Sequence, residues 1–189
     1  MITQIKNIDY ADKFVSPICV ISFWNLCNQF NMAKPKVLVL RSAGTNCDKE
    51  TAYAFSQAQA ETDLVHINQL KLKQKKLSDY QILVLPGGFS YGDDIAAGKI
   101  LANELKYKLV NDIRSFINSG KLIIGICNGF QVLVKAGLLP GNAALKQEVT
   151  LTINDSAKFE DRWVYLRTQS NSKNSRTNKC VWTRNLPEI

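Results

Sequence analysis

The sequence predicts an α/β protein with a doubly wound, mostly parallel sheet, and three observations carry this prediction. Short β-rich runs alternate with longer helical patterns between residues 36 and 137. The β-rich runs are almost continuously apolar, which is typical of strands that are covered on both faces. The order of elements is strand, helix, strand, and right-handed crossovers then place helices on both sides of one sheet.

Four apolar runs predict the strands, and three amphipathic stretches predict the helices between them. The strands are KVLVL (36–40), TDLVHI (62–67), QILVL (81–85) and KLIIGI (121–126). The helices are expected over residues 48–60, 100–120 and 128–137, the last two closed by glycine. After residue 141, EVTLTI (148–153) and RWVYLRT (162–168) alternate between apolar and polar residues, which predicts an antiparallel β extension.

Composition limits the function classes that remain. The chain has 189 residues, enough for one buried core, and five cysteines without CxxC spacing, which indicates a reduced, cytoplasmic protein. The formal charge of +8 includes the lysines of KLKQKK (71–76), where no aromatic residues interleave, so a solvated basic surface is favoured over nucleic-acid binding. One histidine, His66, argues against a histidine-rich metal site.

Residues 1–31 differ in character from the rest of the chain. Their apolar run, residues 14–26, is shorter than the roughly 18–20 residues that span a bilayer, so no membrane segment is expected. The sequence that starts at Met32 leads directly into the first predicted strand. We therefore expect a poorly ordered N-terminal extension over residues 1–31 and one domain over residues 32–189.

The segment GICNG (125–129) has the pattern of a nucleophile elbow, in which a strand turns sharply into a helix at the reactive residue. The small residues Gly125 and Gly129 make such a turn possible. Cys127 would then stand at a helix N-terminus, whose partial positive charge favours a thiolate. The alternative is a buried cysteine between two glycines that serve only helix packing.

Two backbone N–H groups are candidates for stabilising an oxyanion beside Cys127. The N–H of Asn128 points into the same space as the thiol, and removing one such donor typically lowers a rate by ~10²–10³. PGGFSYGDD (86–94) follows the third strand and offers the N–H of Gly88 as a second donor. In parallel sheets ligands bind beyond the carboxyl ends of the strands, so the loops 41–47, 86–92 and 127–129 are expected to form one site. By itself, a Pro-Gly-Gly sequence is more often a simple turn.

Together, PGGFSYGD, GICNGFQ and GLLPG resemble the class I glutamine amidotransferases, and within them the glutaminase subunits of phosphoribosylformylglycinamidine synthases of purine biosynthesis. VLVLRSAGTNCDKET (37–51) is similar to the first strand, loop and helix of that family. The resemblance implies a flavodoxin-like fold and a thioester formed when Cys127 attacks glutamine. It also implies that Gly88 and Asn128 stabilise the tetrahedral intermediates and that Gln131 helps to hold the substrate.

The resemblance also implies partners. Ammonia would pass to a large ATP-dependent synthetase subunit, usually accompanied by a small accessory subunit. No cofactor is expected in this chain, since ATP and Mg²⁺ belong to the reaction of the synthetase subunit.

The chain departs from the family pattern at the general base. The family carries a His-x-Glu pair well downstream of the elbow, but no histidine follows Cys127, and His66 is expected in a core or rim position. We therefore expect a domain that is incomplete at its C-terminus and negligible glutaminase activity for the isolated chain. One alternative is a catalytically inactive fragment or interaction remnant of that subunit. Another is a different elbow enzyme, a cysteine hydrolase or a DJ-1-like protein, which Asn128 after the cysteine disfavours.

Overall fold

The structure is a computed structural model that describes residues 4–5, 34–141, 145–165 and 181–182. Four parallel strands form the main sheet in the order β3-β2-β4-β5, and β1 pairs antiparallel with β6. In chain order the strands are β1 (Gln4–Ile5), β2 (Lys36–Arg41), β3 (Glu61–His66), β4 (Ile82–Leu85), β5 (Leu122–Gly125) and β6 (Leu151–Thr152).

Five α-helices accompany the sheet in the described part of the chain. They are α1 (Asp48–Gln57), α2 (Ile67–Lys71), α3 (Lys99–Lys108), α4 (Val110–Asn118) and α5 (Asn128–Lys135). Single 3-10 turns cover Leu77–Asp79 and Ser90–Asp93. The expected helix over 100–120 is two helices, because Leu109 leaves the helical region with φ −122° and ψ 13°. The side chain of Leu109 is nevertheless buried, so the predicted apolar stripe runs through the break.

Both faces of the main sheet carry a core, which confirms the doubly wound architecture. In β2, Leu38 and Leu40 belong to the core on one face, and Val37 and Val39 belong to the core on the other. The first core is completed by helical side chains that include Leu105, Ile113 and Phe116. The second core takes Phe55 from α1. Because the central strands are buried on both faces, the near-continuous apolar runs of the sequence are explained.

The predicted C-terminal β extension is largely wrong within the described residues. Only Leu151–Thr152 is a strand, and its partner is Gln4–Ile5 from the expected N-terminal extension. Residues 155–165 form turns and irregular chain, with Trp163 and Tyr165 almost fully exposed. Alternation of apolar and polar residues makes a strand only where a neighbour supplies hydrogen bonds. Residues 166–168 of the expected second strand, and most of residues 1–31, lie outside the described residues.

The lysine-rich segment at residues 71–76 is tied to the surface by ion pairs. Lys71 contacts Glu104 at 2.9 Å, Lys73 contacts Asp112 at 2.6 Å, and Lys75 contacts Asp63 at 2.8 Å. Pairs of this kind at a solvated surface support the interpretation of KLKQKK as an ordinary basic face. Among the residues that the structure describes, the helices are all too short or too polar to cross a bilayer.

Asp63 joins the edge strand β3 to the chain before β4. Its carboxylate accepts hydrogen bonds from Tyr80 Oη at 2.6 Å and from Lys75 Nζ at 2.8 Å. The bond from Lys75, followed by that from Tyr80, holds the pKa of Asp63 below its ordinary value of 3.8. Burial, with the Asp63 bond, raises the pKa of Tyr80 to about 12.

We predict that Asp63→Asn lowers the free energy of unfolding at neutral pH, since Tyr80 and Lys75 lose a charged acceptor. Because the folded pKa is depressed, this stabilisation is complete above the ordinary pKa and is lost as the pH falls through the folded pKa. Urea unfolding of wild type and variant at stepped pH is expected to show a gap that closes below about pH 4. Asp79→Asn, at an exposed carboxylate bonded to Ser78, is the control. A gap that does not change with pH would contradict this account.

Candidate active site

The loops that follow β2 and β4 are bonded backbone to backbone at the carboxyl edge of the sheet. Thr45 and Gly88 form an isolated antiparallel bridge, and Phe89 N–H donates to the carbonyl of Gly44 at 2.9 Å. The approach is so close that a Cβ on Gly44 would lie 2.0 Å from the Phe89 carbonyl oxygen. The first two loops expected at the site therefore meet directly.

Cys127 stands at the junction of β5 and α5 in an unusual backbone conformation, with φ 51° and ψ −111°. A positive φ is uncommon for a residue other than glycine and costs on the order of 1–3 kcal/mol, so surrounding contacts must enforce it. The residue is exposed and its thiol is free. This exposure excludes the alternative in which Cys127 is a buried packing residue.

Gly125 and Gly129, which flank Cys127 at the two ends of the elbow, enforce this conformation. A Cβ on Gly129 would lie 1.9 Å from the carbonyl oxygen of Leu85, at the end of β4. A Cβ on Gly125 would lie 2.6 Å from the carbonyl oxygen of Gly129. Helix α5 therefore begins in backbone contact with both β4 and β5, and only glycine fits at these two positions.

The two backbone amides predicted to bind an oxyanion have no acceptor among the described residues. The N–H groups of Gly88 and Asn128 take part in none of the backbone or side-chain hydrogen bonds of that region. The loop carrying Gly88 is adjacent to Cys127, since a Cβ built on Gly87 would lie 3.5 Å from Cys127 Cβ. Free donors beside an exposed thiol are what acyl-transfer chemistry requires.

The side chain of Asn128 is buried and joins the elbow to the loop after β4. Its Oδ1 accepts from the backbone N–H of Ser90 at 3.1 Å and from Ser90 Oγ at 2.7 Å. Its Nδ2 donates to Asp93 Oδ1 and to Gln131 Oε1, both at 3.1 Å. Gln131, the predicted substrate-binding residue, is half-buried one helical turn beyond Cys127. The sequence predicts a role only for the backbone N–H of Asn128, and it does not predict one for Ser90 or Asp93.

The glycine loop, residues 86–93, ends in three consecutive left-handed residues. Tyr91, Gly92 and Asp93 have φ values of 55°, 69° and 53°. Tyr91 is anchored from both sides, because its N–H donates to the Ala43 carbonyl at 2.7 Å and its Oη donates to Glu104 at 3.1 Å. Burial, and then the Glu104 carboxylate, raises the pKa of Tyr91 to about 12.

A second thiol, Cys47, lies beside the site and was not assigned a role from the sequence. Cys47 is exposed. A Cβ built on Gly87 would lie 3.5 Å from Cys47 Sγ and also 3.5 Å from Cys127 Cβ, so the two cysteines flank the same glycine. The thiol donates to Asn46 Oδ1 at 3.1 Å. The signal available in the sequence was its place at the end of the loop after β2, an element expected at the site.

His66 does not join the site. It ends the edge strand β3, which β2 and β4 separate from β5, so about 14 Å of sheet lies between the two strand ends. Its Nδ1 accepts from Asn68 N–H at 3.2 Å, and its own N–H donates to Gln69 Oε1 at 2.9 Å. These bonds form the N-terminal cap of α2, a short helix that the sequence did not predict. Within the described ranges, no group of three or more His, Cys, Asp and Glu is arranged to hold a metal ion.

Comparison with known proteins identifies the family. The CobB/CobQ-like glutamine amidotransferase domain matches residues 34–187. The chain belongs to this family. The amidotransferase match covers the sheet, the elbow and the glycine loop, and it confirms the resemblance found in the sequence motifs.

Two relatives within the amidotransferase family are identical to this chain at about half of the aligned positions. Phosphoribosylformylglycinamidine synthase subunit PurQ of Dehalococcoides mccartyi is 51% identical over 84% of this chain and 60% of the relative. The subunit of the same name from Methanococcus maripaludis strain C5 is 47% identical over 80% of this chain and 55% of the relative. The chain thus spans about 55–60% of the length of these amidotransferases.

A solved structure shares the amidotransferase fold. The structure of PurLQS from Thermotoga maritima matches with a TM-score of 0.56 and 38% sequence identity. The match covers 70% of this chain and 55% of that chain. This likeness confirms the flavodoxin-like architecture expected from the motifs.

We predict that Gly129→Ala lowers the free energy of unfolding by about 3 kcal/mol or more, because its Cβ has no space against the Leu85 carbonyl. Gly120→Ala is the matched control, since Gly120 has φ +71° but a Cβ there meets nothing within 4 Å. The control is expected to lose only about 1–2 kcal/mol, from its left-handed backbone. Equal losses in denaturant unfolding would show that the contact of Gly129 with β4 is unimportant.

Proposed function

We propose that this chain carries the nucleophile and the oxyanion-binding groups of a glutaminase, the ammonia-supplying subunit of a phosphoribosylformylglycinamidine synthase. One observation carries the proposal: the exposed thiol of Cys127 stands in a strained elbow beside two backbone amides without acceptors in the described part of the chain. The family and the PurQ relatives support glutamine as the substrate.

In the proposed reaction, Cys127 Sγ attacks the carboxamide carbon of glutamine. A tetrahedral intermediate forms, its C–N bond breaks, and ammonia leaves after the nitrogen accepts a proton. Water then adds to the thioester, and breakage of the C–S bond releases glutamate and the thiol. The N–H groups of Gly88 and Asn128 stabilise the oxyanion in both steps. Gln131 is proposed to contact the substrate beyond the reacting carbon.

Proton transfer requires a further group. His66 is about 14 Å of sheet away and is occupied as a helix cap, so it does not serve as the base. We place the proton-transferring group outside the described residues. This chain's own contribution is then to form and stabilise the covalent adduct, and no cofactor is needed for it.

We further propose that the carboxyl edge docks on a large ATP-dependent synthetase subunit, which receives the ammonia, with a small accessory subunit in the same assembly. Three apolar side chains of the loops after β4 and β5 are exposed there. They are Phe89 at 63%, Ile95 at 71% and Ile126 at 36%. Exposed apolar groups next to a reactive centre favour a protein partner over bulk solvent.

We predict that a chloroketone analogue of glutamine labels Cys127 selectively and that glutamine slows the labelling. The thiol displaces chloride, so intact-mass spectrometry reports one added analogue without chlorine, and peptide mapping locates it. Cys127→Ala is expected to abolish the labelling. Cys47→Ala and His66→Gln are expected to label within about twofold of wild type, because neither side chain takes part in the proposed step.

The distribution of label between the two exposed thiols decides the proposal. Equal labelling of Cys47 and Cys127 without protection by glutamine would contradict a glutamine site at the elbow. The same outcome would favour the interaction remnant, which needs no substrate pocket.

We predict that Phe89→Ser weakens association with the synthetase subunit of a close relative about tenfold, the effect of losing one aromatic anchor. Isothermal titration calorimetry measures the change. Tyr53→Ser is the control, since Tyr53 is equally exposed at 67% but lies on α1. If both variants bind as wild type does, the docking surface lies elsewhere.

A further inference from the structure

We infer that the side chain of Asn128 is a positioning residue, which fixes the distance between the two oxyanion donors at Cys127. The inference rests on the proposed function and goes beyond the role of the Asn128 backbone. A single side chain bonds the elbow to the glycine loop, which brings the other donor, Gly88.

All hydrogen-bonding capacity of the Asn128 amide is used. Its Oδ1 accepts twice from Ser90, and its Nδ2 donates once to Asp93 and once to Gln131. An amide has two acceptor positions and two N–H donors, so the group is saturated. The orientation is also determined, because a flipped amide would set its oxygen against the Asp93 carboxylate and its N–H groups against the N–H of Ser90.

The bonds are strong because they are shielded from water. Asn128 and Ser90 are each only 3% exposed. In such a place an unpaired polar group is strongly disfavoured, so the linked arrangement is favoured over an open one.

The glycine loop needs this restraint. Two of its three left-handed residues, Tyr91 and Asp93, are not glycine, so they hold this conformation at a cost. The position of the loop decides where the Gly88 N–H points. Asp93 Oδ1 also accepts from Gly98 N–H at 2.9 Å, and this bond joins the end of the left-handed segment to the start of α3. The bond from Asn128 joins the same carboxylate oxygen to the elbow. Without the Asn128 amide, the loop would keep its bonds to the β2 loop but lose its link to the nucleophile.

The same amide orients Gln131. Because Asn128 Nδ2 occupies Gln131 Oε1, the N–H groups on Gln131 Nε2 point away from Asn128 and are available to an acceptor on the substrate. The Asn128 side chain therefore couples oxyanion binding and substrate binding through one buried group.

The test compares two reagents on the same thiol. Iodoacetamide reports the intrinsic reactivity of Cys127, whereas the chloroketone analogue of glutamine also needs the substrate site. Asn128→Asp keeps the size of the side chain and the bonds from Ser90 but places a carboxylate against Asp93. We expect the ratio of analogue rate to iodoacetamide rate to fall at least about tenfold at pH 8, in line with a displaced oxyanion donor.

A pH profile separates positioning from general damage to the fold. In the Asn128→Asp variant, two carboxyl groups face each other, the introduced one and that of Asp93. Protonating the introduced carboxyl group restores a donor towards Asp93 Oδ1, so the rate ratio of the variant is expected to rise towards wild type as the pH falls to about 5. Wild type is expected to keep a nearly constant ratio. A variant ratio that equals wild type, or stays low at every pH, overturns the inference.

Ser90→Ala is the second variant, in case Asn128→Asp does not fold. It removes only the Oγ bond and keeps the backbone N–H bond, so a smaller fall, of about threefold, is expected. An unchanged ratio in Ser90→Ala overturns the inference. Failure of the proposed function is distinguishable, because wild type itself would then show no preference for the analogue at Cys127.

Discussion

The contact between Gly129 and the carbonyl of Leu85 is the constraint on which the rest of the structure depends. It brings the start of α5 against the end of β4 so closely that a methyl group would lie 1.9 Å from an oxygen atom. The chain leaves β5 only a few residues earlier, so it must reverse at Cys127 with a positive φ. The strained backbone conformation of Cys127 therefore follows from backbone packing. This conformation leaves the thiol exposed beside the glycine loop.

The sequence predicts the parts of this structure that depend on local pattern. A continuous apolar run predicts a strand that is buried on both faces, as in β2, and the spacing of the two glycines around Cys127 predicts the elbow. What the sequence leaves open depends on tertiary contacts. The helix break at Leu109 leaves the apolar stripe continuous, so the spacing of apolar residues does not predict the break. The expected strand over 162–168 fails within residues 162–165 because no neighbour pairs with it there. The buried bonds of Asn128 to the glycine loop join residues 35 to 38 positions apart.

The arrangement divides the chemistry between backbone and side chains. Cys127, the two amides that lack an acceptor in the described part of the chain, and the loop that carries Gly88 are fixed by glycine contacts and by one buried amide. All of them lie at the carboxyl edge of two neighbouring strands. The single histidine of the sequence serves to cap α2 at the far edge strand. In the function that we propose, covalent capture of glutamine and proton transfer therefore belong to separate parts of the enzyme. Cys47, close to the same glycine loop, gives labelling experiments an internal reference thiol that is also exposed.

The most direct measurement is a crystal structure of the chain with 5-oxopentanoate, an aldehyde that matches the reacting end of glutamine. Addition of the Cys127 thiol to the aldehyde carbon forms a hemithioacetal, with the thiol proton transferred to the oxygen. The proposed oxyanion site requires this oxygen to lie about 2.7–3.1 Å from the backbone nitrogens of both Gly88 and Asn128. An adduct whose oxygen points to solvent, with neither amide within reach, would contradict it.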